Sequence, residues 1–187
     1  VSDPRYGMKR QTWRNRRSFL KRTTLMAGGL AVFPSLVRAA GGRVSDPIRL
    51  AIIGLGNKGG QHAGMFSSMP EVHITALCEV DPQRLAPHVA KLKQKGLTPF
   101  TATDPRRVLE RDDVDAVVIA TPNHWHAPLT VWAIRAGKDV YVEKPVSHNV
   151  WEGARMVEDA KARGRIVQGG LQYRSCPGLR AASAWLN

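Results

Sequence analysis

Short apolar runs alternate with longer amphipathic stretches from residue 48 onward, and the two patterns predict different elements. Continuous apolar runs predict buried strands. The stretches between them begin near Pro, Asp or Asn and end near Gly or Pro, as helices do. The predicted strands cover residues 48–53, 72–78, 98–101, 116–120, 139–142 and 166–168. The predicted helices cover residues 59–69, 82–95, 104–110, 126–136 and 149–162.

This alternation predicts an α/β fold, a Rossmann-like doubly wound parallel sheet with helices on both faces. The crossover connections are expected to be right-handed. The pattern closes near residue 170, so residues 44–170 form the predicted domain. Residues 171–187 are too short for a second domain and end within a helical pattern.

Composition narrows the class of protein. A hydrophobic content of 43% with 23% charged residues excludes wholesale disorder. The net charge is +13, but residues 1–43 carry ten Lys or Arg and one acid, a net of +9. The remaining residues carry only +4, so a nucleic-acid-binding face on the folded part loses its main support. Two Cys residues exclude a disulfide-built scaffold.

The first 43 residues predict an export leader and a short linker. Residues 16–21, Arg-Arg-Ser-Phe-Leu-Lys, resemble the twin-arginine signal. The apolar run at 25–37 is shorter than the roughly 20 residues that a membrane span needs, so no stable span is expected. Small residues Val37 and Ala39 predict cleavage after Ala39. The alternative is a basic amphipathic surface helix. The leader predicts a periplasmic or secreted bacterial protein that uses the twin-arginine export machinery.

The turn after the first strand carries the sequence Gly-Leu-Gly-Asn-Lys-Gly at residues 54–59, a GxGxxG motif. It follows a predicted strand and opens a predicted helix, the context in which this motif binds a dinucleotide. Gly54 permits the tight turn, Gly56 lets the backbone approach a diphosphate, and Gly59 allows close packing of helix on strand. Asn57 and Lys58 belong to the same candidate binding loop. The alternative is a plain turn between strand and helix.

An acidic residue ends the second strand. Glu79 lies 25 residues after Gly54, near the spacing at which a carboxylate binds the adenosine ribose. A carboxylate there repels a 2′-phosphate, and no Arg lies closer in sequence than Arg84. We therefore expect NAD as cofactor in preference to NADP.

Three further motifs carry a family resemblance. They are Thr121-Pro122-Asn123-His124-Trp125-His126, Ala136-Gly137-Lys138 and Glu143-Lys144-Pro145. Together with the glycine turn they resemble the Gfo/Idh/MocA oxidoreductases, which include glucose–fructose oxidoreductase and inositol dehydrogenase. The resemblance covers about residues 48–174.

The resemblance implies roles for matching residues. Lys144 resembles the catalytic lysine that hydrogen-bonds the reacting sugar hydroxyl. Thr121, Pro122 and Asn123 match the loop that lines the nicotinamide side of the cofactor. Glu143 is expected to belong to the cofactor-binding residues and to brace the lysine loop beside it. His126 is expected to pack at a helix start or to contact the cofactor. Because His124 and His126 do not converge well on one ion, no metal site is expected.

Family members also carry a second α/β domain that supplies most substrate contacts and commonly an Asp-x-x-x-His pair. Residues 171–187 would be its start, so that domain is predicted to be missing or truncated. Family members often associate through the sheet of that domain, so the resemblance implies that the full-length form can be a homo-oligomer. The expected activity is hydride transfer with a sugar or cyclitol. The alternatives are a glycoside hydrolase that oxidises the sugar transiently with bound NAD, and a non-catalytic dinucleotide-binding fragment.

Overall fold

Six parallel strands form a sheet in the computed structural model, which describes residues 46–186. The strands are β1 (Ile48–Ile53), β2 (Val72–Cys78), β3 (Phe100–Ala102), β4 (Ala116–Ile119), β5 (Asp139–Glu143) and β6 (Val167–Gly170). The helices are α1 (Asn57–Phe66), α2 (Pro82–Gln94), α3 (Pro105–Leu109), α4 (His126–Arg135), α5 (Val150–Arg163) and α6 (Pro177–Leu186). Short 3-10 turns cover Asn123–Trp125 and Gln172–Ser175. The export leader predicted for residues 1–43 lies outside the described residues.

The strand order β3-β2-β1-β4-β5-β6 confirms the predicted doubly wound, Rossmann-like topology. The order reverses between β1 and β4, which pair in parallel from Leu50 with Ala116 to Ile53 with Ile119. Loops that follow these two strands diverge there and leave a crevice at the carboxyl edge of the sheet, where ligands bind in open α/β folds.

Successive side chains of the central strands point to opposite faces of the sheet, so they pack into two separate hydrophobic cores. On one face, Ile53 and Ile119 pack with Leu129 and Ala133 of α4 and with Met156 of α5. On the other face, the cluster contains Leu50, Ile52, Leu55, Ala63, Ile74, Leu77, Leu92 and Val118. Burial on both faces explains why β4 and residues 50–53 of β1 are continuously apolar.

Several helix boundaries differ from the sequence pattern for identifiable reasons. Helix α1 begins at Asn57, inside the glycine motif and two residues before the predicted start, and ends at Phe66, three residues before the predicted end. The Ser67 and Ser68 hydroxyls donate hydrogen bonds to the Gly64 carbonyl, a local alternative to further helical turns. Helix α5 ends where predicted within one residue, at the left-handed Gly164 with φ of 61°.

The helical spacing of Leu129, Trp132, Ala133 and Ala136 predicts one apolar face of α4, but two of the four, Trp132 and Ala136, are exposed. Leu129 and Ala133 are buried as expected, but Trp132 is more than a third exposed. Its ring lies edge-on to that of Trp125, with 6.1 Å between the ring centroids. Thr130 and Ile134 take its place in the core.

Among the described helices, none has the length and apolarity to cross a membrane.

Candidate functional site

The glycine turn is built by the close approach of three backbone segments. Gly54 has φ of 87°, and its N–H donates to the Cys78 carbonyl at 2.8 Å. A Cβ atom on Gly59 would lie 1.8 Å from the Gly54 carbonyl oxygen, so only glycine allows α1 to start so close to β1. A Cβ atom on Gly56 would meet nothing nearer than Arg84 Nη1 at 3.7 Å. The protein itself therefore does not require glycine at position 56.

The N-terminus of α1 has no hydrogen bond from a capping side chain of its N-cap residue. Its N-cap is Gly56, which makes no side-chain hydrogen bond to the first turn. By contrast, side chains cap three other helices: Asp81 accepts from the Gln83 N–H, Asp104 from Arg106 and Asn149 from Glu152. The first N–H groups of a helix seek an acceptor and carry a partial positive charge. An unblocked helix start suits a phosphate group.

Glu79, the residue that follows β2, stabilises the glycine turn through hydrogen bonds. Its Oε2 accepts the Leu55 N–H at 2.6 Å and its Oε1 accepts the Asp81 N–H at 3.2 Å. Each carboxylate oxygen has a further lone pair, so these bonds leave acceptor capacity for a ligand. Arg84 lies on the same side, with its Nε 3.5 Å from Asp81 Oδ2.

Thr121 supplies a polar atom without a partner. Its Oγ1 is buried and makes no hydrogen bond, although buried hydroxyls are normally paired. Thr121 follows β4 by two residues, across the crevice from the glycine turn.

These residues surround one cavity of about 590 Å³. It has the size expected of a cofactor site, and its walls come from the carboxyl ends of β1, β2 and β4. The predicted residues that line it are Gly54, Gly56, Glu79, Thr121 and Pro122. The other lining residues are Ile53, Cys78, Val80, Asp81, Arg84, Pro105, Ala120, His124, Trp125 and Leu129.

The remaining predicted residues do not line this cavity. Asn57, Lys58, Asn123 and Lys144 are exposed, whereas Gly59, His126 and Glu143 are buried in the protein. Among the lining residues, Trp125 was missed as a site residue. Its 42% exposure is unusual for so large an aromatic ring, but its sequence context predicted only a helix start.

Lys144 lies at the same sheet edge, immediately after β5. β5 pairs with β4 so that Val142 lies beside Ile119, which places the Lys144 and Thr121 loops next to each other. The Lys144–Pro145 peptide bond is cis. Among residues 46–186, the Lys144 ammonium group has no hydrogen-bond or ion-pair partner.

His126 joins the two loops. It is only 1% exposed, with Nδ1 2.6 Å from the Pro145 carbonyl oxygen and Nε2 2.9 Å from that of Thr121. Carbonyl oxygens only accept, so each contact is a hydrogen bond when the facing nitrogen carries its proton. His126 is therefore a packing residue that fixes the Thr121 loop against the Lys144 loop.

Glu143 is buried behind Lys144. Burial alone would raise the pKa of its carboxyl group, but hydrogen bonds from Gln172 and His62 outweigh that effect and hold the pKa below its ordinary value. Glu143 therefore carries its charge inside the protein.

Within residues 46–186, no group of three or more His, Cys, Asp or Glu side chains is placed to hold a metal ion.

The comparison with known families decides the classification. The sequence profile of Gfo/Idh/MocA proteins, described as an oxidoreductase family with an NAD-binding Rossmann fold, matches residues 48–171. The chain belongs to the Gfo/Idh/MocA family. The resemblance inferred from the glycine turn and the Glu-Lys-Pro motif is confirmed at family level.

Relatives of this Gfo/Idh/MocA protein are named either as glycosidases or as a dehydrogenase. A glycosyl hydrolase family 109 protein from Shewanella pealeana is 31% identical over 169 residues, which cover 79% of this chain and 37% of the relative. An alpha-N-acetylgalactosaminidase from Shewanella oneidensis is 30% identical over 143 residues, covering 72% and 31%. The crystal structure of myo-inositol 2-dehydrogenase from Lactobacillus plantarum matches with a TM-score of 0.69 and 29% identity. That match covers 75% of this chain and 41% of the dehydrogenase. The chain thus spans less than half the length of each of these relatives.

The site fits the NAD that the family binds. The open start of α1 offers N–H donors to a diphosphate, and Gly56 leaves room for it. Glu79 has acceptor capacity for ribose hydroxyls. Thr121 and Pro122 form part of the wall of the same cavity.

Proposed function

We propose that the chain is the NAD-binding part of an oxidoreductase that acts on a hydroxyl or carbonyl group of a sugar or cyclitol. Bound NAD supplies hydride transfer, and the protein supplies binding, orientation and proton transfer. The observation that carries the proposal is the cavity at the strand-order reversal, where the glycine turn and Glu79 meet the Thr121 loop.

The glycine turn would bind the diphosphate through the backbone. The first N–H groups of α1 point out of the helix start without a capping side chain, and Gly56 places no side chain before them. Glu79 would accept hydrogen bonds from the adenosine ribose hydroxyls. Because its carboxylate repels a 2′-phosphate, the proposal favours NAD over NADP.

Lys144 would handle the proton that accompanies hydride transfer. Oxidation of a hydroxyl to a carbonyl requires loss of the hydroxyl proton as the hydride leaves the carbon. Lys144 lies at the carboxyl edge of the sheet, immediately after β5, and its Nζ is free of protein partners among the described residues. An amine there can hydrogen-bond the hydroxyl and take part in moving its proton.

Replacement of Lys144 tests this role. In the full gene product, Lys144→Ala is expected to abolish turnover across a panel of sugars and cyclitols while NAD affinity stays within about threefold of wild type, below 1 kcal/mol. Lys161→Ala, which removes an exposed lysine on α5, is the matched control and is expected to retain turnover. Unchanged turnover in Lys144→Ala would refute the assigned role.

Glycoside hydrolysis is the second candidate, because two relatives carry glycosidase names. In that reaction NAD would oxidise the sugar transiently, and the hydride would return before product release. The two reactions differ in redox balance. Release of 4-nitrophenol from a 4-nitrophenyl glycoside without accumulation of NADH supports hydrolysis, whereas NADH accumulation with a free sugar or cyclitol supports the dehydrogenase.

We extend the proposal to export through the twin-arginine route, on the basis of the sequence at residues 16–21. A fluorescent reporter fused after residue 43 is expected to reach the periplasm. Replacement of both Arg16 and Arg17 by Lys is expected to retain it in the cytoplasm. Periplasmic reporter in both cases would show that the arginine pair is not read as a signal.

A further inference from the structure

A buried polar network lies directly behind Lys144, and neither NAD binding nor proton transfer as proposed above uses it. Glu143, the last residue of β5, is only 3% exposed. Its Oε1 lies 2.7 Å from Nε2 of His62, a buried residue of α1. A carboxylate oxygen accepts, so His62 donates its Nε2–H to Glu143.

Two further donors bind the same carboxylate. Gln172, on the 3-10 turn after β6, donates its Nε2–H to the same Oε1 at 2.7 Å. The Lys144 backbone N–H donates to Oε2 at 3.3 Å. The network therefore joins three parts of the chain: the helix that opens at the glycine turn, the lysine loop, and the segment after β6.

The packing around the network leaves little space for another arrangement. The Tyr141 ring stands edge-on to the His62 ring, with centroids 5.3 Å apart. A Cβ atom on Gly170 would lie 2.8 Å from the Tyr141 hydroxyl and 3.2 Å from Glu143 Cδ. A charged group buried this tightly is costly unless its hydrogen bonds are all retained.

We infer that His62 and Glu143 are positioning residues, which fix the backbone of Lys144 relative to α1 and so to a dinucleotide bound at the start of that helix. The inference rests on the proposed role of Lys144. Glu143 does not itself reach a ligand, because it is buried and its oxygens are occupied by His62, Gln172 and Lys144. Its effect passes through the lysine loop.

The test measures how well bound NAD shields the Lys144 amine. Lysines are acetylated with a limiting amount of acetic anhydride, and the labelling of each is read by mass spectrometry with exposed Lys161 as internal reference. At an NAD concentration of about ten times Kd, roughly one molecule in ten is free. If NAD covers Lys144, labelling of Lys144 in wild type slows about tenfold.

His62→Leu and Glu143→Gln are compared at NAD concentrations scaled to their own Kd. Both variants are expected to bind NAD. Addition of NAD should slow the labelling of Lys144 by less than about twofold, because the amine then spends most of the time away from the cofactor. His62→Gln, which keeps an N–H donor toward Glu143, is expected to restore the protection. His73→Leu removes an exposed histidine on β2 and is expected to behave as wild type.

The outcomes separate this inference from the proposed function. Wild-type protection that persists in folded His62→Leu and Glu143→Gln overturns the positioning role and leaves the proposed function intact. NAD binding without protection of Lys144 in wild type refutes the placement of Lys144 at the cofactor, and both proposals fall with it. If the core variants do not fold, Gln172→Leu removes one donor from an exposed turn, and protection equal to wild type then overturns the inference.

Discussion

Substitution of Gly56 is the most specific way to perturb the site, because no protein atom lies close to the place that a side chain would occupy. A Cβ atom at Gly56 would be 3.7 Å from the nearest atom, Arg84 Nη1, and its φ of −62° is allowed for any residue. Gly56→Val is therefore expected to fold. Loss of chain entropy in the unfolded state favours the variant by about 0.4–1 kcal/mol. A poorer N-cap opposes this by up to about 1 kcal/mol, so the free energy of unfolding should change little.

The same substitution is expected to block NAD. The valine side chain would stand before the first N–H groups of α1, where the proposal places the diphosphate. Hydrogen bonds to charged groups contribute about 1.5–3 kcal/mol each. Loss of one or two of them, about 3 kcal/mol, weakens binding by at least about 100-fold. Isothermal titration calorimetry measures the affinity, and thermal melting measures the stability of the same sample.

Two other glycines on α1 serve as controls. Gly64 has no atom within 4 Å of a built Cβ and lies on the second half of the helix, so Gly64→Val is expected to keep both fold and NAD affinity. Gly59→Ala would place its Cβ 1.8 Å from the Gly54 carbonyl oxygen, so it is expected to lose stability. A folded Gly56→Val protein that binds NAD within about threefold of wild type would refute the diphosphate assignment.

Two other residues of the cavity give further predictions. Glu79→Gln keeps an acceptor for the Leu55 N–H but removes the negative charge, so the preference for NAD over NADP should fall by about tenfold, or 1.4 kcal/mol. An unchanged ratio of the two dissociation constants would show that Glu79 does not set the choice. Burial raises the pKa of the Cys78 thiol to about 12, so this thiol should resist iodoacetamide at pH 8 until the protein unfolds. Cys176 is less buried and should react first, as peptide mass spectrometry would show; modification of Cys78 in folded protein at the rate of Cys176 would contradict the assigned burial.

Local pattern was sufficient to predict most of the fold. The strands at 48–53 and 72–78 were predicted to the residue, because Gly and Pro punctuate continuous apolar runs there. Asp81 and Asp104 cap α2 and α3, in agreement with the Asp residues that mark predicted helix starts in the sequence. Helix ends were harder to predict, since Ser67 and Ser68 end α1 through side-chain bonds that the apolar period does not reveal.

The site was predictable only where one local motif carries it. The glycine turn, Glu79 and the Thr121 loop meet in one cavity because each follows a strand of the same sheet edge. The His62–Glu143 pair joins residues 81 positions apart, and neither residue has a local signal that names its partner. The exposed Trp125 was likewise missed as a site residue, because its sequence context predicted only a helix start.

Calorimetric titration of the purified wild-type chain with NAD and with NADP tests the central claim most directly. The account predicts one NAD site per chain, with weaker binding of NADP. A folded chain with no measurable heat for either dinucleotide, at concentrations that saturate other members of the family, would contradict it.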